Sequence, residues 1–148
     1  MKFGKLRTLR GQISVTGGVG RLNLIAADGL INYGLRITRF SMWKDATPSG
    51  ASAQKFTGIL SLDTISSGST MDAGDNRQFA WTSYSTLTTG VIFPLMEQID
   101  PDHIVNRDLF LTMTDSTSGV YNYLIECQVV ELSDDEAIIT IIKETSQS

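Results

Sequence analysis

An all-β fold is what the sequence predicts: a jelly-roll-like β-sandwich of about eight strands, with an N-terminal arm and a short C-terminal helix. Apolar residues alternate with polar ones over short stretches, which is the period of a strand with one buried face. Clusters of Gly, Ser, Thr and Asp separate these stretches at short intervals and mark turns. A jelly roll is the eight-stranded arrangement that places such strands in two packed sheets.

Length and composition favour one folded domain spanning residues 1–148. A chain of 148 residues buries enough surface to fold without covalent cross-links, and its single cysteine cannot form an internal disulfide. The hydrophobic fraction of 41% excludes a disordered chain. No stretch approaches the roughly 18 consecutive apolar residues that span a bilayer, and the N-terminus lacks the apolar core of a signal peptide. We therefore expect neither a membrane span nor secretion by that route.

The first half of the chain is predicted to hold a basic arm and several strands. Residues 1–16 form the arm, which runs into a strand and is broken by the glycines that follow. Further strands are predicted at residues 21–26, 34–44 and 56–62. In the second of these, Leu35 and Ile37 alternate to one face, whereas Phe40 and Met42 alternate to the other. That pattern predicts contacts on both faces of the strand.

The second half is predicted to contain four more strands. They cover residues 76–85, 91–96, 104–114 and 120–132. Pro94 marks its strand as an edge or a bend, because proline cannot donate to a ladder. Val105, Leu109 and Leu111 are the expected core positions of the third strand. One face of the fourth is continuously apolar and is predicted to be buried: Tyr121, Tyr123, Ile125, Cys127 and Val129.

A helix is predicted within the C-terminal segment, residues 133–146. Ser133 and Glu136 have the spacing of a capping box, in which each side chain bonds the other residue's backbone N–H. Ile138 and Ile142 then recur at helical spacing. The isoleucines and Thr140 favour a strand by propensity, but we give the capping signal more weight.

Charge is distributed unevenly along the chain. Residues 1–44 hold eight basic residues and one acid, whereas residues 45–148 hold four basic residues and fifteen acids. Two interpretations stay open. The basic arm docks on an acidic neighbour or on nucleic acid, or the two halves lie side by side and neutralise each other. Under the first, the candidate assembly contacts of the arm and of the helix are Lys5, Arg7, Arg10, Ile138 and Ile142.

No pattern in the chain predicts catalysis, a cofactor or a metal ion, so we expect a protein that is not an enzyme. The only histidine, His103, follows residues 100–102, which read as an Asx turn rather than as part of a metal site. No Gly-x-Ser-x-Gly motif accompanies it. An enzyme would need His103 beside a nucleophile and a second carboxylate.

The other candidate motifs have ordinary structural explanations. Residues 17–20 are rich in glycine but lack the lysine of a phosphate-binding loop, so they predict a turn. Cys127 is predicted to lie in the core with a raised pKa. Five loop acids lack the spacing of a calcium-binding loop: Asp63, Asp72, Asp75, Asp100 and Asp102. Five aromatic residues are predicted to fill the core or a subunit interface, with a ligand platform as the alternative: Trp43, Trp81, Tyr84, Tyr121 and Tyr123.

Several segments of the chain have a distinctive sequence: residues 75–78 ahead of Trp81, then 99–109, 123–125, 135–138 and 142–147. These segments, and more loosely residues 20–40, resemble small structural proteins of marine bacteriophages. The resemblance implies a capsid-associated or other structural role in a virion, which a jelly roll would suit. It carries no catalytic residues over to this chain.

We therefore expect a non-enzymatic virion structural protein of a bacteriophage that self-assembles as part of the capsid or decorates it. Its partners would be copies of itself and other virion proteins, with a nucleic-acid contact through the basic arm as an alternative. Its location would be the virion, after synthesis in the host cytoplasm. The alternative function is a receptor- or glycan-binding module of a phage tail or fibre. That module would need an exposed aromatic cluster near residues 45–55 or 66–75.

Overall fold

Nine strands and one helix make up the described part of the chain. The computed structural model describes residues 2–16, 18–24, 32–44, 54–65, 71–86, 92–115 and 119–146, with the backbone alone for residues 54, 86, 92–95 and 141–146. The elements are β1 (Lys2–Val15), β2 (Val19–Leu24), β3 (Tyr33–Lys44), β4 (Gln54–Ser61), β5 (Gln78–Thr86), β6 (Ile92–Ile99), β7 (Ile104–Val105), β8 (Leu109–Asp115), β9 (Gly119–Glu131) and α1 (Asp134–Ser146).

The strands form two antiparallel sheets, which confirms the all-β prediction. The four-stranded sheet has the order β1-β9-β3-β7, and the five-stranded sheet has the order β2-β8-β4-β5-β6. The pairings are nested along the chain: β1 pairs with β9, β2 with β8, β3 with β7 and β4 with β5. Strands that are far apart in sequence therefore become neighbours.

The two sheets share one apolar core. Alternate residues of β9 point into it, and Tyr121, Ile125 and Cys127 are fully buried, as predicted. Leu111 and Met113 of β8 belong to the same core from the five-stranded sheet. Because both sheets contribute one face to this core, the other face of each sheet is left for contacts with the helix, with connecting segments or with other molecules.

β3 departs from the predicted alternation at one point. A register shift between Ile37 and Arg39 inserts an extra residue opposite β9, and a β-bulge of this kind reverses the alternation that follows it. Leu35, Ile37, Phe40 and Met42 consequently all lie in the same core. The assignment of Phe40 and Met42 to the opposite face was wrong, because it assumed an uninterrupted strand.

The strand predicted over residues 104–114 is in fact two strands. β7 pairs with β3 in the four-stranded sheet, whereas β8 pairs with β2 and β4 in the five-stranded sheet. Residues 106–108 interrupt the extended chain and carry it from one sheet to the other. Val105, Leu109 and Leu111 are all buried. The predicted core positions are confirmed, but the prediction of one continuous strand was wrong.

Pro94 lies in β6, which is an edge strand of the five-stranded sheet, as predicted. A register shift between Ser83 and Tyr84 accompanies it in the pairing of β5 with β6. Asp28 and Gly29, a pair that favours a turn, lie outside the described residues. So do residues 45–53, whose polar composition favours a loop.

α1 covers part of the outer face of the four-stranded sheet. Its capping box is confirmed, because the N–H of Ser133 donates to Oε1 of Glu136 and the N–H of Glu136 donates to Oγ of Ser133, each at 3.2 Å. Val130 lies three residues after the core-facing Cys127, so its side chain points to the outer face. There it forms a second buried cluster with Ile104, Leu132 and Ala137.

Candidate assembly surface

β1 is an edge strand with one open side. It pairs with β9 from Lys2, opposite Glu131, to its other end, with a register shift between Phe3 and Leu6. No described strand pairs with its second edge. The segment predicted as an arm that runs into a strand is therefore a strand from Lys2 onward, because β9 offers it a full-length partner.

The first half of β1 is exposed on both faces. Every residue from Lys2 to Thr8 is exposed, whereas Ile13 and Val15 are buried. A strand alternates its side chains between two faces, so uniform exposure means that neither the helix nor the other sheet covers this half. It therefore presents both faces and one edge to other molecules.

Basic side chains dominate this exposed strand. Lys5, Arg7 and Arg10 are all exposed, and no described acid lies within ion-pair distance of them. Glu126 of the adjacent β9 pairs instead with Arg39 of β3, at 3.9 Å. Among the residues that the structure describes, no direct ion pair neutralises the positive charge of these three side chains, an arrangement that favours docking on an acidic neighbour.

Two large apolar side chains are exposed among these cations. Leu6 is 80% exposed and Phe3 is 52% exposed. The ring of Phe3 lies beneath the guanidinium of Arg36, whose Cζ is 5.5 Å from the ring centroid, a cation–π contact. Folded chains normally guard or cover apolar groups on an open sheet edge. The surface therefore combines charge with apolar area, which the alternation pattern did not predict.

α1 places its candidate contact at the same end of the four-stranded sheet. Ile138 is 51% exposed, beside the buried Ala137. The backbone of Ile142 lies in α1, but its side chain is outside the described residues. Because Lys2 pairs with the last residue of β9 and α1 begins three residues later, the starts of β1 and α1 lie close together. We call the exposed half of β1, with Ile138, the assembly surface.

His103 lies after a turn, as predicted. The N–H of Asp102 donates to Oδ1 of Asp100 at 3.0 Å, which is the hydrogen bond of an Asx turn. The imidazole stacks on Phe79, and burial lowers the pKa of His103 although Asp100 opposes the shift. Across the described ranges, no group of three or more His, Cys, Asp or Glu side chains is arranged to hold a metal ion.

Cys127 lies in the core, as predicted. Its side chain is fully buried, and the thiol donates to the backbone oxygen of Arg7 at 3.2 Å. Burial raises the pKa of the Cys127 thiol, and the nearby charge of Arg7 opposes this shift. A raised pKa keeps the sulfur protonated and unreactive at neutral pH, so the position is structural.

The glycine-rich segment forms a turn, as predicted. Gly18 has a φ of 91°, a conformation that glycine adopts without strain. Its carbonyl oxygen accepts from the N–H of Asp115 at 3.0 Å. β2 begins at the next residue, so a strand follows the turn where a phosphate-binding loop would require a helix. Gly17 lies outside the described residues.

A polar cluster before β5 was not identified from the sequence. Nε and Nη2 of Arg77 donate to the two carboxylate oxygens of Asp75 at 3.0 and 2.9 Å. The hydrogen bond from Arg77 lowers the pKa of Asp75, although partial burial of the carboxyl group opposes this shift. Oε1 of Gln78 accepts from the N–H of Asp72 and from the indole of Trp81, both at 2.9 Å. The only sequence signal for this cluster was the resemblance of residues 75–78. Its hydrogen bonds join the turn before β5 to the first residues of that strand.

The aromatic residues do not form one cluster. Tyr121 and Tyr123 are buried in the core, as predicted for structural aromatics. Trp81 lies half-buried in the five-stranded sheet, whereas Trp43 lies in the four-stranded sheet and is 45% exposed. Residues 45–53 and 66–70, near which the glycan-binding alternative needs aromatic residues, lie outside the described part of the chain.

Comparison with known proteins does not assign the chain to a family. A scan against models of protein families finds no match, and a search of curated proteins finds none either. In the described part of the chain, no helix has the length and apolar character needed to cross a bilayer.

Proposed function

We propose that this chain is a non-enzymatic structural protein of a bacteriophage virion, which self-assembles as part of the capsid or decorates it. The nesting of strand pairs is the observation that supports this best, with β1 against β9, β2 against β8, β3 against β7 and β4 against β5. One long hairpin rolled over on itself gives that order. This order supports the interpretation of the fold as a jelly roll, with β6 added at one edge, and jelly rolls recur in viral capsids.

The assembly surface supports the same proposal. Leu6 and Phe3 expose apolar area on an open strand edge, a combination that favours association with another chain. Lys5 and Arg7 flank that area with charge, which fixes the orientation of a partner more than it strengthens binding. Ile138 adds an exposed apolar side chain at the same end of the sheet.

The proposal is tested by the oligomeric state of the purified chain. We expect sedimentation velocity to show assemblies that grow with protein concentration, and negative-stain images to show particles of regular size. A stable monomer at every concentration would contradict self-assembly. Deleting residues 1–10 is a poor test, because it removes most of β1 and leaves β9 without its partner.

A single side-chain replacement at the assembly surface tests the proposal more specifically than that deletion. Leu6→Ser should shift the association to higher concentration, since the Leu6 side chain is almost fully exposed and contributes little to the fold. Met71→Ser is the matched control, because Met71 is also an exposed apolar residue but lies before the five-stranded sheet's β5. If the two variants associate equally, the assembly surface is not where the copies contact each other.

The alternative function, a receptor- or glycan-binding module of a tail or fibre, is favoured by one observation. Trp43 exposes its indole at the end of β3, and indole rings stack on the apolar faces of ligands. A glycan array probed with the protein and with Trp43→Ala tests it. If the protein is a monomer that binds a glycan, and Trp43→Ala abolishes this binding, the receptor- or glycan-binding function would replace the assembly proposal.

A further inference from the structure

We propose that the open edge of β1 binds an acidic, extended segment of another polypeptide, which adds to the four-stranded sheet as a fifth strand. The inference rests on the proposed assembly function, because it names the kind of partner that the assembly surface contacts. Three properties of β1 carry it: its free edge, its charge and its exposed apolar side chains.

The free edge is long, and the register shift between Phe3 and Leu6 interrupts it once. β1 has 14 residues, so it spans about 45 Å. An open edge offers unpaired N–H and C=O groups to an incoming strand. The other edge strands of the described sheets are shorter: β7 has two residues, β2 has six, and β6 contains Pro94, which has no N–H to donate. β1 is therefore the edge best suited to accept a strand.

The charge of β1 selects against a second copy of the same strand. Residues 2–15 contain four cations, Lys2, Lys5, Arg7 and Arg10, and no acid. Two such strands laid edge to edge would bring like charges together, which destabilises a cross-strand pair. Basic residues on an edge are a common protection against self-pairing. An acidic strand meets no such repulsion and gains ion pairs with the same side chains.

The cations lie on both faces of the strand. Arg7 is opposite Cys127 in the register, so it lies on the core side of the sheet, whereas Arg10 is opposite Leu124 and lies on the outer side. Leu6 shares the outer side with Arg10. A matching segment therefore carries acids on both of its faces and an apolar residue near Leu6.

A labelled peptide tests this recognition directly. The probe is a short fluorescein-labelled peptide in which pairs of glutamates alternate with pairs of valines, so that acids occupy both faces of the extended chain. It is added at a protein concentration below that at which the chain associates. We expect saturable binding by fluorescence anisotropy that weakens with added salt. We also expect slower amide hydrogen exchange in β1.

Reversing one charge on β1 tests whether the peptide binds at this strand. Lys5→Glu should weaken peptide binding by roughly fivefold, since it turns one attraction into a repulsion. Lys55→Glu is the matched control, because Lys55 is also an exposed strand lysine but belongs to the five-stranded sheet. It should leave the affinity within about twofold of the parent.

Several results would overturn the inference. They are equal binding of a peptide with lysines in place of the glutamates, unchanged exchange of the β1 amides, or β1 binding to a single-stranded oligonucleotide in place of the acidic peptide. The two proposals fail separately. If the protein is a monomer that binds the peptide at β1, this inference is supported and self-assembly is contradicted. If the protein assembles but its β1 does not bind the peptide, only self-assembly is supported.

Discussion

The imidazole of His103 lies flat against the ring of Phe79, with the ring centroids 4.7 Å apart and the planes 6° from parallel. Phe79 is fully buried in the core, and burial lowers the pKa of His103. The folded chain therefore favours the neutral imidazole. Since this is the only histidine of the chain, its protonation couples the stability of the fold to pH in a range where no other side chain ordinarily titrates.

We expect the free energy of unfolding to decrease as the pH falls below 6.5, the unperturbed pKa of His103. The pKa is lower in the folded chain than in the unfolded one, so the unfolded chain takes up the proton first. The stabilisation that neutral His103 contributes is complete above pH 6.5. It is lost as the pH falls towards the pKa of His103 in the folded chain, and below that pKa the free energy of unfolding no longer changes through this group. Denaturant unfolding between about pH 8 and about pH 5 measures it.

His103→Phe is the control for this prediction. It retains a ring to stack on Phe79 and removes the titrating group. The pH dependence between about 7 and about 5 should then flatten. A variant that keeps the dependence of the parent would assign it to carboxylates instead.

A second prediction concerns the close crossing of β1 and β2 at Gly20. A Cβ atom there would lie 2.6 Å from the backbone oxygen of Ser14 and 3.2 Å from Cγ2 of Val15. The oxygen belongs to a paired strand and cannot move aside without disturbing the sheet. Gly20→Ala should therefore lower the free energy of unfolding by about 1–3 kcal/mol, measured by chemical denaturation.

Gly119→Ala is the matched control for Gly20→Ala. Gly119 is also a strand glycine, but the atom nearest to its built Cβ is Cε of Lys44, at an ordinary contact distance of 3.4 Å. Alanine should be accommodated there without loss, because it also reduces the conformational entropy of the unfolded chain. Equal destabilisation of the two variants would contradict the steric explanation.

A third prediction concerns the hydroxyl of Tyr121. The phenol is fully buried, and its oxygen has no hydrogen-bond partner in the described part of the chain. The ring packs 5.1 Å from that of Phe56 and 5.7 Å from Nζ of Lys44. Tyr121→Phe retains the ring and removes an unpaired polar atom. It should therefore leave the free energy of unfolding unchanged or raise it by up to about 1 kcal/mol.

Tyr121→Ala gives the contrast for Tyr121→Phe. It removes the whole ring and should cost about 3–5 kcal/mol. Thermal and chemical unfolding of the three proteins measure both effects. A clear loss of stability in Tyr121→Phe would show that the oxygen makes a favourable polar contact.

Local signals in the sequence were sufficient for the core face of β9 and for the helix. Tyr121, Ile125 and Cys127 are buried because a strand alternates with a period of two, which is readable from sequence. The Ser133–Glu136 capping box outweighed the β-branched residues that follow it, because its two hydrogen bonds satisfy backbone groups at the point where the helix begins.

Features that depend on distant pairing were not predictable in this way. The bulge in β3 is defined by its register against β9, and the break after Val105 by a change of sheet. Neither partner is adjacent in sequence. A pattern that treats each strand alone therefore places Phe40 on the wrong face and joins β7 to β8.

The assembly surface was predicted only in part. The basic residues Lys5, Arg7 and Arg10 stand out in the sequence, but the exposure of both faces of β1 depends on where the second sheet ends. The open outer edge likewise follows from the strand order. The sequence alone did not single out Leu6, which the three-dimensional arrangement leaves 80% exposed.

The nested pairing also dictates the order of events when the chain is made. Lys2 pairs with Glu131 and Val15 pairs with Gly119, so each pairing of β1 with β9 closes a loop of more than one hundred residues. The ribosome synthesises a chain from its N-terminus, so β1 emerges long before β9 has been made. Contacts of such high sequence separation fold slowly. Until β9 is available, we expect the like charges along β1 to oppose its pairing with the same strand of neighbouring nascent chains.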